Sequence, residues 1–309
     1  MSHSDNINPI ELGASLYVPA TRNDLIALGQ GQQIPSLRSL IYCTEDAILQ
    51  KDVETAIQQI KLTLPYLEHQ MLRFVRVRNP QVLEQLLSLN HIDRITGFVL
   101  PKVCASKLGH YLQVIRKAGL GFTFEYMITV ETKDAFSISK MERLRDQLLA
   151  SELPVLSIRI GGNDLLNLLS MRRERGVTAY QTPLGQIINQ LIMIFRPYGF
   201  HVSAPVYDYT NDPDTLARET QMDVQHGIIG KTAIHPQQIP IIEAAYQVKS
   251  DDLKAAQAVL DPNAQAVFRL GDQMCEPATH RQWAKRILRQ AQIYGELPTQ
   301  ELHSTIRTA

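Results

Sequence analysis

The stretch GIIGKTAIHPQQ, residues 227–238, decides the fold of this chain of 309 residues. Its GKT tripeptide resembles the end of a phosphate-binding loop, in which successive backbone N–H groups surround a phosphate. Such a loop requires a glycine five positions before Gly230, and Gln225 stands there. Pro236 also occurs where the loop should open directly into a helix. The pattern therefore disfavours an ATP site, and the stretch needs another explanation.

The composition excludes several classes of protein. Lys and Arg together number 31, as do Asp and Glu, so no global charge attracts the chain to nucleic acid or to an anionic membrane. No stretch approaches the roughly 20 apolar residues of a membrane span, and the opening decapeptide MSHSDNINPI lacks a basic segment and an apolar run. The three cysteines lack CxxC spacing, which suits a reducing compartment. We therefore expect a soluble cytoplasmic protein with small-molecule partners and no binding to nucleic acid or membrane.

Short apolar or β-branched runs recur along most of the chain, with amphipathic helical patterns between most of them. The eight runs lie at 14–20, 39–45, 71–78, 97–102, 121–129, 155–162, 199–207 and 227–235. Eight strands that alternate with helices predict an α/β protein of the (β/α)₈ TIM-barrel class over residues 14–250. A doubly wound open sheet has the same periodicity and is the structural alternative.

After Ser250 the strand pattern stops, and residues 251–309 contain mainly helical patterns. The last helix has an apolar stripe made by Trp283, Ile287, Leu288 and Ala291. The segment is too short to predict an independent domain. We expect a C-terminal helical extension that packs on the barrel or on a neighbouring subunit, as an oligomer contact or an active-site cap.

The candidates for chemistry are the polar residues that end the apolar runs, because a (β/α)₈ barrel builds its active site at the carboxyl ends of its strands. They are Glu45, Asp46, Arg76, Arg78, Lys102, Glu131, Asn163, Asp164, Lys231 and His235. Glu131 and Asp164 follow adjacent strands, so a closed barrel would bring both carboxylates to one mouth. Two oxygen ligands without a cysteine or histidine cluster favour Mg²⁺ over zinc, with water and substrate completing the octahedron.

These candidates also have structural interpretations. Glu131 could be an acidic residue of a first helical turn, and Asp164, after two glycines, could be a helix N-cap. Lys102 could lie on the surface. The arginine-rich segment MRRER, residues 171–175, is typical of a solvated face but could form an anion site. An interior Arg76 is harder to explain by packing, because an unpaired buried charge is destabilising by several kcal/mol.

In their order and spacing these motifs resemble the citrate lyase β-subunit branch of the HpcH/HpaI aldolase superfamily. GIIGKTAIHPQQI is similar to a late-barrel motif of that family, and SLYVPAT, TEDA, VRVRN and VLPK are similar to its first four strands. VET at 130–132 and GGND at 161–164 match its two metal-binding segments, and QMCEPATHRQWAKRIL is similar to its C-terminal element. The resemblance implies a Mg²⁺-dependent C–C bond lyase on a TIM barrel.

The resemblance also implies roles for individual residues. Glu131 and Asp164 would bind Mg²⁺, and Arg76 would hold a substrate carboxylate or carbonyl oxygen, with Arg78 as its rival. Glu276 falls where related lyases place an acidic residue from a neighbouring subunit, which implies a homo-oligomer, either a trimer or a hexamer. Glu276 and a metal-bound water are the candidates for proton transfer. The other substrate-binding candidates are Glu45, Asp46 and Lys102.

The implied chemistry is aldol or Claisen cleavage, or the reverse condensation, of a small anionic 2-oxo or 2-hydroxy carboxylate or its coenzyme A thioester. Cys43 stands where the family's acidic motif normally begins with Asp, and RIGGND and MRRERG are more basic than in citrate lyase subunits. The pattern is closer to a divergent branch of C–C lyases associated with tellurite-resistance and stress-response genes. Two alternatives stay open: a catalytically silent barrel that binds an anionic metabolite or a partner enzyme of a biosynthetic complex, and an enzyme that binds phosphorylated substrates at 171–175.

Overall fold

The computed structural model describes residues 7–68, 71–120 and 123–297, and eight parallel strands form its main sheet. The strands are Ala14–Pro19 (β1), Ser39–Cys43 (β2), Leu72–Arg76 (β3), Gly97–Leu100 (β4), Glu125–Val130 (β5), Val155–Ile160 (β6), Val202–Ser203 (β7) and Lys231–Ala233 (β8). The accompanying helices are Leu25–Gly29 (α1), Val53–Thr63 (α2), Pro80–Leu87 (α3), Leu108–Ala118 (α4), Ile138–Ser151 (α5), Gly162–Leu168 (α6), Pro183–Phe195 (α7), Pro213–Gln225 (α8) and Gln238–Ala245 (α9). Each predicted run overlaps one strand, although residues 121–122 of the fifth run lie outside the described residues, so the predicted α/β TIM-barrel class is confirmed.

The chain divides into two compact units, one that ends at Ala245 and one that begins at Tyr246. The second unit contains Val248–Lys249 (β9), Ser250–Leu260 (α10), Phe268–Leu270 (β10), Gln273–Cys275 (β11), Pro277–Tyr294 (α11) and Glu296–Leu297 (β12). Its core includes Ile287, and Trp283, Leu288 and Ala291 pack against that core, as the predicted stripe requires. β9 pairs with β12, so this unit begins before the predicted boundary at Ser250. Among the described residues, no helix combines the length and apolarity needed to cross a membrane.

Several helices of the barrel begin at a capping residue followed by proline. The pairs are Asn79–Pro80, Thr182–Pro183 and Asp212–Pro213, before α3, α7 and α8. The Asn79 side chain accepts a hydrogen bond from the Val82 N–H at 2.9 Å. An N–H at the first helical position has no partner within the helix. Proline suits this position because it lacks that N–H and therefore loses no hydrogen bond. The pairs before α3 and α8 end the loops that follow β3 and β7, and the pair before α7 ends the loop that follows α6.

β8 closes the sheet into a barrel. In the strand order β7-β6-β5-β4-β3-β2-β1-β8, it pairs in parallel with β1. On its other side the Ile229 N–H donates to the Val202 carbonyl at 2.9 Å, and the Ala204 N–H donates to the Gly230 carbonyl at 3.0 Å. Backbone hydrogen bonds therefore join β7 to β8, and the open doubly wound alternative is wrong.

The two glycines of GIIGKT shape the entry to β8. Gly227 and Gly230 have φ values of +74° and +64°, a region that favours glycine. A Cβ atom on Gly230 would lie 2.9 Å from the Gly13 carbonyl oxygen, closer than real Cβ contacts allow. The glycines thus permit a turn and a close backbone approach between β8 and the residue before β1, which explains them without a nucleotide.

Lys231 faces outward, away from the barrel axis, and is fully buried against α8. Its Nζ donates to Glu219 Oε1 and Asp223 Oδ2, each at 2.8 Å. Arg173 donates to Glu219, and the Tyr180 hydroxyl donates to Asp223 at 2.7 Å. Two cations and two carboxylates thus balance one another in a buried cluster that joins β8 to α8. Lys231 is a structural residue.

The barrel interior is polar in its lower layers. Since neighbouring strand residues face opposite sides, Thr232 faces the interior when Lys231 faces α8. The strand registers place further buried hydroxyl groups on the interior side of the sheet. These hydroxyls belong to Ser15, Ser39, Thr129, Ser157 and Ser203. Ser157 and Ser203 bond each other at 2.9 Å, whereas the hydroxyls of Ser15, Ser39 and Thr129 have no partner among the described residues.

We expect the Lys231→Met variant to be destabilised by about 3–5 kcal/mol, because two buried carboxylates would keep only Arg173 as their cation. Urea unfolding followed by circular dichroism measures this. Lys117→Met is the matched control, since the Lys117 side chain is 74% exposed and pairs only with Glu84 on the surface. Equal unfolding free energies for the two variants would contradict the structural role of Lys231.

Candidate active site

Glu131 lies at the centre of the barrel mouth, directly after β5, with 3% of its surface exposed. Its Oε1 accepts hydrogen bonds from Arg76 Nη2 at 3.1 Å and from the Lys102 backbone N–H at 2.8 Å. Burial raises the pKa of Glu131 to about 7, and the negative charges of Asp164 and Glu45 act in the same direction, against Arg76. Glu131 is therefore a carboxylate in surroundings that disfavour its charged form.

Gly161, at the end of β6, leaves room for this carboxylate. A Cβ atom on Gly161 would lie 2.2 Å from Glu131 Oε2, well inside van der Waals contact. Gly162 begins α6, whose first turn carries Asp164. The GGND motif therefore has two functions, to provide space for Glu131 and to present Asp164 at the same mouth.

Asp164 is the more open of the two predicted metal ligands, with 35% of its side chain exposed. Its Oδ1 lies 3.9 Å from Lys102 Nζ, and it forms no hydrogen bond to another residue in the described ranges. Glu131 and Asp164 both lie beside Lys102, the former at its backbone and the latter at its ammonium group. The structure thus brings the predicted pair to one place. No group of three or more His, Cys, Asp or Glu side chains with metal-binding geometry occurs among the described residues.

Arg76 ends β3 and joins the carboxylates of two other strands. Its Nη2 lies 2.6 Å from Glu45, 3.1 Å from Glu131 and 3.5 Å from Asp46. Its Nε is buried and has no hydrogen-bond partner in the described part of the chain. The charge of Arg76 is therefore balanced by protein carboxylates, while one N–H of the same group stays available as a donor.

Lys102 connects the loops after β2, β4 and β5. Its Nζ donates to Glu45 Oε1 at 2.6 Å and lies 3.3 Å from both Asp46 oxygens. Its backbone is left-handed, with φ of +52°, which is uncommon for a residue other than glycine. This conformation directs the Lys102 N–H toward Glu131, as its 2.8 Å hydrogen bond shows. The interpretation of Lys102 as a plain surface residue is wrong.

Arg78 supports the site from its side. Its guanidinium donates to the backbone carbonyls of Thr44, Glu45 and Ile48 at 3.1, 2.6 and 2.8 Å. These bonds hold the loop that carries Glu45 and Asp46. The predicted contact of Arg78 with substrate stays a prediction, while its observed contacts position the loop.

Two of the three arginines in the segment 171–175 are committed to protein partners. Arg173 is 4% exposed and is committed to Glu219 and to the Val206 carbonyl. Arg175 donates to the Asn211 carbonyl at 3.0 Å. The observed contacts therefore give this segment a structural role in joining the loops before α7 and α8.

Glu276 lies in the second unit, at the N-cap of α11. Its carboxylate accepts a hydrogen bond from the Thr279 hydroxyl at 3.0 Å. The Glu276 N–H donates to His280 Nδ1 at 3.2 Å. The role of Glu276 in a neighbouring subunit's site, and the trimer or hexamer that it implies, stay predictions.

Sequence reasoning missed two interior residues beneath the mouth. Tyr17 of β1 has the Arg76 guanidinium 6.0 Å from its ring centroid and the Arg159 guanidinium 5.3 Å from it. Arg159 of β6 is 3% exposed. A signal was present, since an arginine inside the apolar run VLSIRI is an unusual residue for a buried strand. Both residues lie before the ends of their strands, whereas the barrel rule places active-site groups at the strand ends.

A family model described as "C-C_Bond_Lyase of the TIM-Barrel fold" matches residues 6–296. Among curated proteins, two (3S)-malyl-CoA thioesterases from strains of Cereibacter sphaeroides are similar. They are 23% and 25% identical over 242 and 248 residues, and each match covers 78% of this chain and 79% of the relative.

Solved structures show the same fold at lower identity. CitE from Mycobacterium tuberculosis, in complex with magnesium, acetoacetate and coenzyme A, superposes with a TM-score of 0.68 at 19% identity and covers 91% of this chain and 99% of that chain. A citrate lyase from Burkholderia xenovorans LB400 has a TM-score of 0.70 at 19% identity and covers 95% of this chain and 97% of that chain. The family model spans nearly the whole described chain, and the chain belongs to the family of C–C bond lyases of the TIM-barrel fold.

Proposed function

We propose that this protein is a Mg²⁺-dependent C–C bond lyase that acts on a small 2-oxo or 2-hydroxy carboxylate or on its coenzyme A thioester. The observation that carries the proposal is the position of Glu131 and Asp164, which both lie beside Lys102, with the Glu131 carboxylate buried. Aldol and Claisen cleavage both leave an electron pair on the carbon next to a carbonyl. A site for such chemistry must therefore stabilise developing negative charge.

The residues at the mouth fit a divalent cation. Four carboxylates, Glu45, Asp46, Glu131 and Asp164, surround two cations, Arg76 and Lys102. The raised pKa of Glu131, caused first by burial and then by Asp164, is consistent with too little positive charge beside it. Glu131 and Asp164 would hold Mg²⁺ through oxygen, the ligand it prefers, and water and substrate would fill the other positions.

The comparisons support the same ligands. The CitE structures from M. tuberculosis are described as complexes with magnesium and with acetoacetate, oxaloacetate or pyruvate, and one also contains coenzyme A. These are the classes of molecule that the proposal assigns to this chain. At 18–20% identity they support the ligand class and leave the substrate open.

Bound Mg²⁺ would supply a Lewis acid that polarises a substrate oxygen. The protein's own groups then have distinct tasks. Arg76 holds the Glu45 and Glu131 carboxylates in place and can direct its buried Nε at a substrate oxygen. The Lys102 N–H fixes the orientation of Glu131, and Arg78 fixes the loop of Glu45 and Asp46.

Cleavage of a β-hydroxy thioester requires three changes. The hydroxyl loses its proton, the C–C bond breaks to give a carbonyl on one product, and the electron pair left on the other carbon takes up a proton. Glu276 and a water molecule are the proposed proton carriers.

A second candidate is hydrolysis of the thioester bond, which the names of the two C. sphaeroides relatives favour. In that reaction water attacks the thioester carbonyl and the coenzyme A thiol leaves. The same carboxylate-rich mouth could bind such a substrate. The catalytically silent barrel is the third outcome, and it predicts neither product.

Mg²⁺ binding should depend on both carboxylates. We expect Glu131→Gln and Asp164→Asn to weaken Mg²⁺ affinity at least about tenfold, because each removes one charged oxygen ligand. Isothermal titration calorimetry measures the affinity, and Glu84→Gln, at a surface ion pair, is the matched control. Equal Mg²⁺ affinity in all four proteins would exclude the proposed site.

Gly161→Ala should reduce Mg²⁺ affinity as strongly as Glu131→Gln, because the new methyl group would displace the Glu131 carboxylate. Gly109→Ala is the control. Gly109 lies in α4 with no atom within 4 Å of the position of a Cβ, so this change should leave metal binding intact and stabilise the helix by about 1 kcal/mol. Unaltered Mg²⁺ affinity in Gly161→Ala would show that Glu131 does not bind the ion.

The products formed from (3S)-malyl-CoA should separate the candidate reactions. C–C cleavage yields glyoxylate and acetyl-CoA without free thiol, whereas hydrolysis yields malate and free coenzyme A thiol. We expect carbonyl product in the presence of Mg²⁺, measured by hydrazone formation, and little thiol, measured with a thiol reagent. Thiol release without glyoxylate would replace the lyase by the thioesterase. Acetoacetyl-CoA and oxaloacetate are tested in the same way. If neither they nor (3S)-malyl-CoA react, the silent barrel is favoured.

A further inference from the structure

Arg159 is a buried cation in the barrel interior, one layer below Glu131. It lies in β6 opposite Thr129 of β5, and Glu131 is the next interior residue after Thr129 on that strand. The Arg159 guanidinium is in hydrogen-bond contact with the Thr232 hydroxyl and lies 3.5 Å from Met127 Sδ. Both partners are neutral.

Arg159 forms no ion pair with a carboxylate among the described residues, unlike Lys231, Arg173 and Arg76. Lys231 and Arg173 both contact Glu219, and Arg76 contacts Glu45. A buried charge without a counter-ion is destabilising by several kcal/mol, so its retention requires a compensating gain. The observed neighbours of Arg159 are the Thr232 hydroxyl, the Met127 thioether and the Tyr17 ring, and none of them carries a negative charge that would balance the guanidinium.

The groups around Arg159 form an incomplete polar site. Thr129 is 4% exposed, and its hydroxyl has no hydrogen-bond partner in the described part of the chain. Tyr17 lies between Arg159 and Arg76 and is partly exposed, and its hydroxyl makes no hydrogen bond to another described residue. Two unused hydroxyls and an unbalanced guanidinium therefore lie around one place beneath the mouth.

Charge balance identifies the ligand class. Arg76 and Lys102 are each bound by two or more protein carboxylates, so neither offers a net positive charge to an incoming anion. Arg159 offers a net positive charge, and its planar guanidinium matches the two oxygens of a carboxylate. A neutral ligand would leave its charge unbalanced.

We propose that Arg159, with the hydroxyl of Tyr17, binds the free carboxylate of a small substrate on the floor of the barrel. The proposal rests on the proposed function for the placement of the reacting carbons beside Glu131 and Asp164. The carboxylate subsite itself is formed by Arg159 and Tyr17, without the metal, and can be tested in metal-free buffer. Arg76, to which the resemblance assigns the substrate carboxylate, then supplies a donor to a second substrate oxygen.

The probe is malonate, a small dicarboxylate, with the neutral malonamide as its comparison. We expect malonate to bind the wild type in metal-free buffer and malonamide to bind far more weakly. Arg159→Met should lose malonate affinity by about 10- to 100-fold, the effect of removing charge-assisted hydrogen bonds. Arg159→Lys should recover part of it, because the charge returns without the planar fork. Calorimetry measures all four titrations.

The matched control is Arg73→Met. Arg73 is 2% exposed, close to the 3% of Arg159, but it faces the helices and donates to the Gly29 carbonyl. Malonate affinity should be unchanged in this variant. Arg159→Met should also unfold at a temperature no lower than the wild type, because it removes an unbalanced buried charge. If Arg159→Met does not fold, Tyr17→Phe replaces it, with an expected loss of about fivefold in malonate affinity.

Different results would contradict the Arg159 subsite and the proposed lyase. The role of Arg159 would be overturned if the wild type does not bind malonate, or if the wild type and Arg159→Met bind it equally. If Mg²⁺ still binds in either case, the proposed metal site is unaffected. Arg159-dependent malonate binding without any Mg²⁺ binding would support the subsite and contradict the lyase. A loss of malonate affinity in Arg73→Met equal to that in Arg159→Met would also overturn the subsite.

Discussion

The hydrogen bonds that join β8 to β7 and β1 are the constraint on which the site depends. They convert a row of eight parallel strands into a ring, so the carboxyl ends of all strands surround one mouth. Gly230 allows the backbone to approach Gly13, and Lys231 anchors the strand to α8 through Glu219 and Asp223. In the closed ring, Glu45 after β2 and Glu131 after β5 both reach Arg76 of β3.

The mouth is organised around an excess of carboxylates. Arg76 and Lys102 hold Glu45 and Glu131 close together, while Asp164 lies farther away, with its Oδ1 3.9 Å from Lys102 Nζ. Burial raises the pKa of Glu131 to about 7, so its ionised form depends on nearby positive charge. A divalent cation would provide that charge. This need for positive charge beside Glu131 is one reason why we propose the mouth as a metal site.

The two faces of the barrel wall use buried charge differently. On the outer face, Lys231 and Arg173 are matched by Glu219 and Asp223, and the cluster joins strand to helix. On the inner face, Arg159 has neutral hydrogen-bond partners among the described residues. A balanced cluster stabilises the fold, whereas a buried cation without a counter-ion is costly to it. This contrast is the basis on which we propose Arg159 as a ligand-binding group.

The sequence by itself determined the eight strands, their alternation with helices, and most of the residues at the strand ends. These follow from local apolar patterns, from cap-and-proline pairs such as Asn79–Pro80, and from motifs whose resemblance to a lyase family points to Glu131 and Asp164. The tertiary structure decided closure, since periodicity is the same in an open sheet. It also decided the partners of each charge. Arg78 binds backbone carbonyls, Arg173 is buried with Glu219, and Arg159 has no counter-ion in the described ranges. Ion pairs join strands and helices far apart in the chain, and local sequence patterns carry no information about such distant partners.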